Sequence, residues 1–239
     1  MGECTLRKSE GVLAELYEAD EPVRVKFQNT IAESTVKFSQ QFAPAYCMFE
    51  NFYRDCDGTI QRGLVGGLMH GVLDDLLTSV KLLLSGKLSA SGNLARQSME
   101  GICMAIMSAH EGPLQFKQTE AIYWKLLNDE DKRSEGNMAP WQLLANFERL
   151  GLNENGTAQL KKMIETHHPH SHAGRLAMAN RIDLSPGGQM YFGGHFDEAK
   201  LVAYQAEMAQ RISICRWADE TLQTLWPLVQ ALPKVSALR

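Results

Sequence analysis

The sequence is short of every signal that would assign a chemistry at sight. It has no basic excess, because 24 Lys and Arg stand against 28 Asp and Glu for a net charge of −4, with both signs interspersed. A protein that holds DNA by neutralising phosphates needs a basic surplus or a dense basic stripe, so bulk charge excludes DNA and leaves RNA only to a local cleft. There is no CxxC pair. Cys4, Cys47, Cys56, Cys103 and Cys215 are odd in number and widely spaced, with no secretory leader ahead of them, which points to reduced thiols in a cytoplasm. Long apolar runs are missing too: residues 76–84 are interrupted by Thr78, Ser79 and Lys81, too short and too polar to cross a bilayer. No cofactor motif is present. The tandem glycines Gly187-Gly188 and Gly193-Gly194 lack the flanking strand, helix and Lys-Ser/Thr of a phosphate loop.

What remains is a globular composition, 44% hydrophobic and 22% charged, with enough length to bury about 70% of the chain's surface in one core. Between residues 62 and 85, Leu64, Val65, Leu68, Met69, Val72, Leu73, Leu76, Leu77 and Val80 recur in fours with adjacent pairs. That is a broad helical face. Gly63, Gly66, Gly67 and Gly71 lie on the same helix, each costing about 1 kcal/mol of propensity relative to Ala, and their clustering predicts close approach by another backbone. Gly86 can close the helix as a left-handed cap. Ser89 or Ser91 then opens a second helix through Met99, Ile102 and Cys103 to residue 109, making an antiparallel hairpin.

Other helices are expected at 11–18, 24–42, 113–128, 139–150 and 157–166, with 129–137 as a solvated loop. A long last helix runs over 197–226, with Leu201, Tyr204, Met208, Ile212, Cys215 and Leu222 on one stripe and Pro227 marking its end. The predicted fold is all-α: a single-domain helical bundle with a long C-terminal helix and room for one short β-hairpin at 182–192, around the Pro186-Gly187 turn. The organisation divides into an N-terminal helical extension (1–60) packed on a bundle core (61–230), then a short tail (231–239).

Two constellations can carry chemistry. His167, His168, His170 and His172 cluster after a predicted helix, and imidazoles spaced by two can chelate zinc, copper or nickel; the alternative is a polar helix junction. Arg96 and Glu100 stand four apart on the second hairpin helix, so they share a face. That helix is apolar on most sides, so the pair needs partners across the bundle, for which His70, Asp74 and Asp75 are candidates. Either they form a polar network that sets helix register, or they line a ligand cleft. Cys103 and Cys215 fall on core stripes, where a thiol is a small inert hydrophobe.

The run Ser91-Gly92-Asn93-Leu94-Ala95-Arg96-Gln97-Ser98-Met99-Glu100-Gly101-Ile102, with His170-Ser171-His172-Ala173-Gly174-Arg175 downstream, resembles segments of several bacterial families of uncharacterised helical proteins. These families are compared with the HEPN superfamily of helical domains, found in toxin–antitoxin and phage-defence systems, many of whose members cleave RNA. The HEPN ribonuclease motif carries its histidine shortly after the arginine on the same helix. Here that histidine has to come from elsewhere in the chain.

Three functional expectations follow. The first is a cytoplasmic helical protein that binds a protein partner or homodimerises, in a mobile-element or defence context as the resemblance implies. The second is a metal-independent HEPN-like ribonuclease, with His172 as general acid or base, Arg96 stabilising phosphorane charge and Glu100 orienting one of them. The third is a His-rich metal-binding protein.

Overall fold

The computed structural model describes residues 8–17, 20–152, 154–167, 175–184, 188–191 and 193–233. Its elements are α1 (Ser9–Tyr17), α2 (Glu21–Asp55), α3 (Ile60–Leu84), α4 (Leu88–Ala109), β1 (Leu114–Phe116), β2 (Thr119–Ala121), α5 (Tyr123–Asn128), α6 (Ala139–Ala145), α7 (Glu154–His167), α8 (Arg175–Ala179) and α9 (Leu201–Ala231). The fold is mostly helical, as the periodicity predicts. No helix among the described residues is long and apolar enough to cross a membrane.

The α3–α4 hairpin forms where the spacing in fours places it. Thr59 caps α3 by accepting from the Arg62 amide, and Gly86 closes it at φ +71°, donating to Leu83 O. Around this hairpin α2 and α9 complete one core, in which Phe27, Phe52, Val65, Met69, Leu76, Ile102, Tyr204 and Leu222 are buried. Phe27 meets Tyr204 near the start of both α2 and α9, and Asp55 meets Trp226 near their ends, so these two helices run parallel. Residues 110–200 must therefore carry the chain back to the end where α4 began. They do so along the second face of α4, where Cys103, Met107, Leu114, Tyr123, Leu143 and Ile164 form a satellite core.

The structure departs from the sequence expectations at several places. Residues 113–122 are not helical: Leu114–Phe116 pairs antiparallel with Thr119–Ala121, turning at Lys117 (φ +53°). Asn146, from the end of α6, fixes that hairpin by accepting from the Gln115 amide at 2.7 Å and donating to Gln115 O at 3.0 Å. Pro227 does not end α9, which continues to Ala231 because Val229 is buried and the last carbonyls find a donor. At 182–190 the pairing is a single bridge, Ile182 with Met190, and residues 185–187 lie outside the described ones.

Two fully buried arginines join the helices. Arg62, 1% exposed, donates to Asp55 O at the end of α2 and to Gln230 O and Leu232 O at the end of α9. One cation thus sits at two helix C-termini, where the backbone partial charge is negative. Arg211, 0% exposed, donates through Nε to Ser79 Oγ (2.8 Å), through one terminal nitrogen to Ser91 Oγ (2.7 Å), and through the other to the carbonyl and carboxylate of Glu207. Ser79 and Ser91 also exchange hydroxyl-to-carbonyl bonds. Arg211 therefore pins α9 to the α3–α4 hairpin; its burial pushes its pKa down and Glu207 opposes that shift.

At the hairpin's turn the chain crosses itself backbone to backbone. A Cβ on Gly86 would meet the His195 backbone, and one on Gly194 would meet Ser85 O. Only glycine fits on either side of that crossing. Lys87 pairs with Asp20 at 2.6 Å beside it.

Candidate functional site

The glycines of α3 divide into two groups. Gly66 faces inward, where a Cβ would stand 2.8 Å from Cys56 Cβ; the approach is by side chains of Cys56 and Tyr53 rather than by the backbone that the glycine cluster predicts. Gly63, Gly67 and Gly71 do not make it: a Cβ on any of them would meet nothing within 4 Å. Positions spaced by four share a face, and this face looks out of the bundle. The three glycines floor an open groove of about 490 Å³. The floor is ~12 Å long at 1.5 Å per residue.

Leu64, Leu68 and Val72 of α3, Met104 of α4 and Leu127 of α5 make the groove apolar, while Asp75, Gln97 and Glu100 supply its polar atoms. Register across the hairpin follows from Ser79 lying opposite Ser91 and from Gly101, whose Cβ would stand 2.8 Å from Val72 Cγ2. Glu100 is therefore level with Gly71. Its side chain belongs to a residue only 9% exposed and is ion-paired through Oε1 with Arg96. Oε2 turns the other way, 3.5 Å from where a Cβ on Gly136 would stand, and accepts no hydrogen bond among the described residues. Asp75 accepts none either. Burial pushes both carboxyls' pKa values up; Arg96 counters the shift at Glu100, while the neighbouring Asp74 adds to it at Asp75.

The residues singled out from sequence fall as follows. Arg96 and Glu100 are together on α4, as the spacing of four requires, and Arg96 Nε is buried without a hydrogen-bond partner. Beside them a small cleft is lined by Asn137, Pro140, Trp141 and Ile164. Ile164 belongs to α7, which ends at His167. His172, the proposed general acid or base, lies outside the described residues, as do His168 and His170. His70 and Asp74 do not join Arg96: both are exposed, with His70 against the Phe49 ring (centroids 5.9 Å apart). Of the three partners expected across the bundle, only Asp75 shares a cavity with Glu100.

Among the described residues no three metal-ligating side chains converge. Cys103 and Cys215 are buried, with burial pushing the Cys215 thiol up to about 12 and Cys103 upward as well, so neither is a nucleophile. Arg62 and Arg211 were legible only as charges on otherwise apolar stripes; Arg211 interrupts the run Tyr204, Met208, Cys215. Comparison with family models, curated proteins and solved structures gives no match, so the site's own geometry carries the functional reading.

Proposed function

We propose that this protein works by binding, and that its recognition site is the groove between α3 and α4, which receives a helical segment of a protein partner. The observation that carries this reading is the outward glycine face. Three glycines in one helix cost stability, yet among the described residues no side chain or backbone fills the space they leave. A glycine floor lets a second helix approach nearer than the 8–10 Å usual between helix axes, and its ~12 Å length accommodates two turns. The occupant is a partner rather than a second copy, because the charged side chains lining the groove, Asp75 and Glu100, are both acidic. The exposed residues of α3 that a second copy would bring are Ile60, Gly63, Gly67, His70, Asp74, Leu77 and Lys81, and the one lysine among them lies ten residues past Gly71, ~15 Å beyond the glycine floor.

The test is a displayed library of helical peptides selected on the wild-type protein and on Gly67→Leu, which fills the floor. Sequences that bind the wild type and lose Gly67→Leu are expected, with circular dichroism and melting showing the variant folded. If every selected peptide binds both proteins equally, the groove is not the recognition site. Light scattering that shows a dimer dissociated by Gly67→Leu would make the occupant a second copy.

A second reading, a metal-independent HEPN-like ribonuclease using Arg96, Glu100 and His172, draws support from the unpaired Arg96 Nε beside the helix that ends at His167. Purified protein would cleave RNA without added metal, and Arg96→Ala and His172→Ala would each abolish cleavage. Cleavage surviving both substitutions would remove this reading.

A further inference from the structure

We infer that the groove selects its partner through a cationic side chain, a lysine or arginine whose stem lies along Leu68 and Met104 and whose head is received by Glu100 Oε2 and Asp75. This rests on the groove being the recognition site and adds what that site recognises. Glu100 is a carboxylate on a helix that is otherwise mostly apolar. Its side chain is only 11% exposed; Arg96 occupies Oε1, while Oε2 has no donor among the described residues and is left to solvent on the side of Gly136, where a cationic donor can replace water.

Arg96 does not line the groove, so the charge balance on the groove side is acidic. Asp75 strengthens it, standing half-buried with no hydrogen-bond donor and with Asp74 next to it in the chain. A desolvated carboxylate next to another acid holds its proton above the ordinary range, and an arriving cation reverses that shift. An uncharged polar group would satisfy Oε2 but leave the second acid unneutralised. A carboxylate or phosphate would be repelled by both. Between the acids and the far wall the surface is apolar, which matches the methylene stem of lysine or arginine better than a bare metal ion or a fully polar ligand.

The test separates this inference from the reading beneath it. Glycine amides are well resolved in proton–nitrogen NMR spectra, so Gly67, Gly71 and Gly101 report on the groove directly. n-Butylammonium, the lysine side chain alone, is titrated to tens of millimolar against its uncharged counterpart n-butanol, on wild type, Asp75→Asn and Glu100→Gln. The expected result is saturating shifts of those amides with the amine only, weakened about tenfold in Asp75→Asn. Asp75 has no partner to lose, so that variant keeps the fold even if Glu100→Gln releases Arg96. Equal shifts with amine and alcohol, or an Asp75→Asn response like the wild type, would overturn the cation preference and leave the groove intact as a binding site. No shift at any of the three glycines with either probe would overturn both.

Discussion

Removing the Arg211 guanidinium is the most severe single change that the core offers. Arg211→Met keeps the length and apolar volume of the side chain but withdraws four hydrogen bonds, to Ser79, to Ser91 and twice to Glu207. The two serines retain each other's carbonyls, so their hydroxyls are not orphaned. Glu207 is the expensive residue, because its carboxylate is only 15% exposed and loses the guanidinium 2.7 Å away. Breaking a buried pair by removing one partner costs about 3–5 kcal/mol, a fifth or more of a typical domain's ~5–15 kcal/mol. At ~2–4 °C per kcal/mol for a chain of this size, Tm should fall by about 6–20 °C. Urea unfolding followed by circular dichroism measures both quantities. Arg211→Met/Glu207→Leu should recover at least half of the loss, since the acid that faced the guanidinium is then removed as well. A cost under ~1 kcal/mol for the single variant, or no recovery in the double, would refute the claim that Arg211 is held by Glu207 and pins α9 to the hairpin.

Glycine substitutions should sort by direction. Gly67→Ala should raise stability by about 0.5–1 kcal/mol, because its Cβ enters open space, whereas Gly66→Ala and Gly101→Ala should lower it through collisions with Cys56 and Val72; thermal melts of the three proteins decide this. Gly86→Ala should destabilise by more than ~1 kcal/mol, from both its left-handed backbone and the His195 backbone opposite, and amide exchange should speed up at residues 193–197 first. Asp75→Asn should be more stable than the wild type at neutral pH. The folded Asp75 carboxyl titrates above its unfolded value, so the wild type loses stability as pH rises through that window, and the difference between the two proteins should vanish below the ordinary Asp range. Urea titrations at acid and neutral pH check the sign.

The hairpin of α3 and α4 is legible because its pattern is redundant: many apolar residues in fours and Gly86 at the turn agree. The short segments are not. Leu114 and Phe116 satisfy a helical stripe and a period of two equally well, and the choice between them is made by Asn146, thirty-one residues away. The apolar spacing predicts a helix at 24–42 only, while α2 runs on to Asp55 because Ala45, Phe49 and Phe52 are buried beyond Pro44. In both α2 and α9, tertiary burial outweighed the loss of one amide donor.

The site shows the same division. Spacing alone brought Arg96 and Glu100 together, and composition alone marked the glycines of α3 as unusual. Which glycines face inward depends on where α2 docks, which no local pattern records. Gly66 and Gly67 are neighbours in sequence, yet one meets Cys56 and the other open space. The link between the glycine face and Glu100 exists only through the hairpin's register.

The central claim is that the outward glycine face of α3 is where this protein meets its partner. Chemical-shift mapping with the tightest peptide from the helical library tests it most directly. The account predicts a footprint centred on Gly63, Gly67, Gly71, Gly101 and Met104. A footprint centred instead on the cavity of about 530 Å³ beside Trp217, between α4 and α9, with those five amides unmoved, would contradict it.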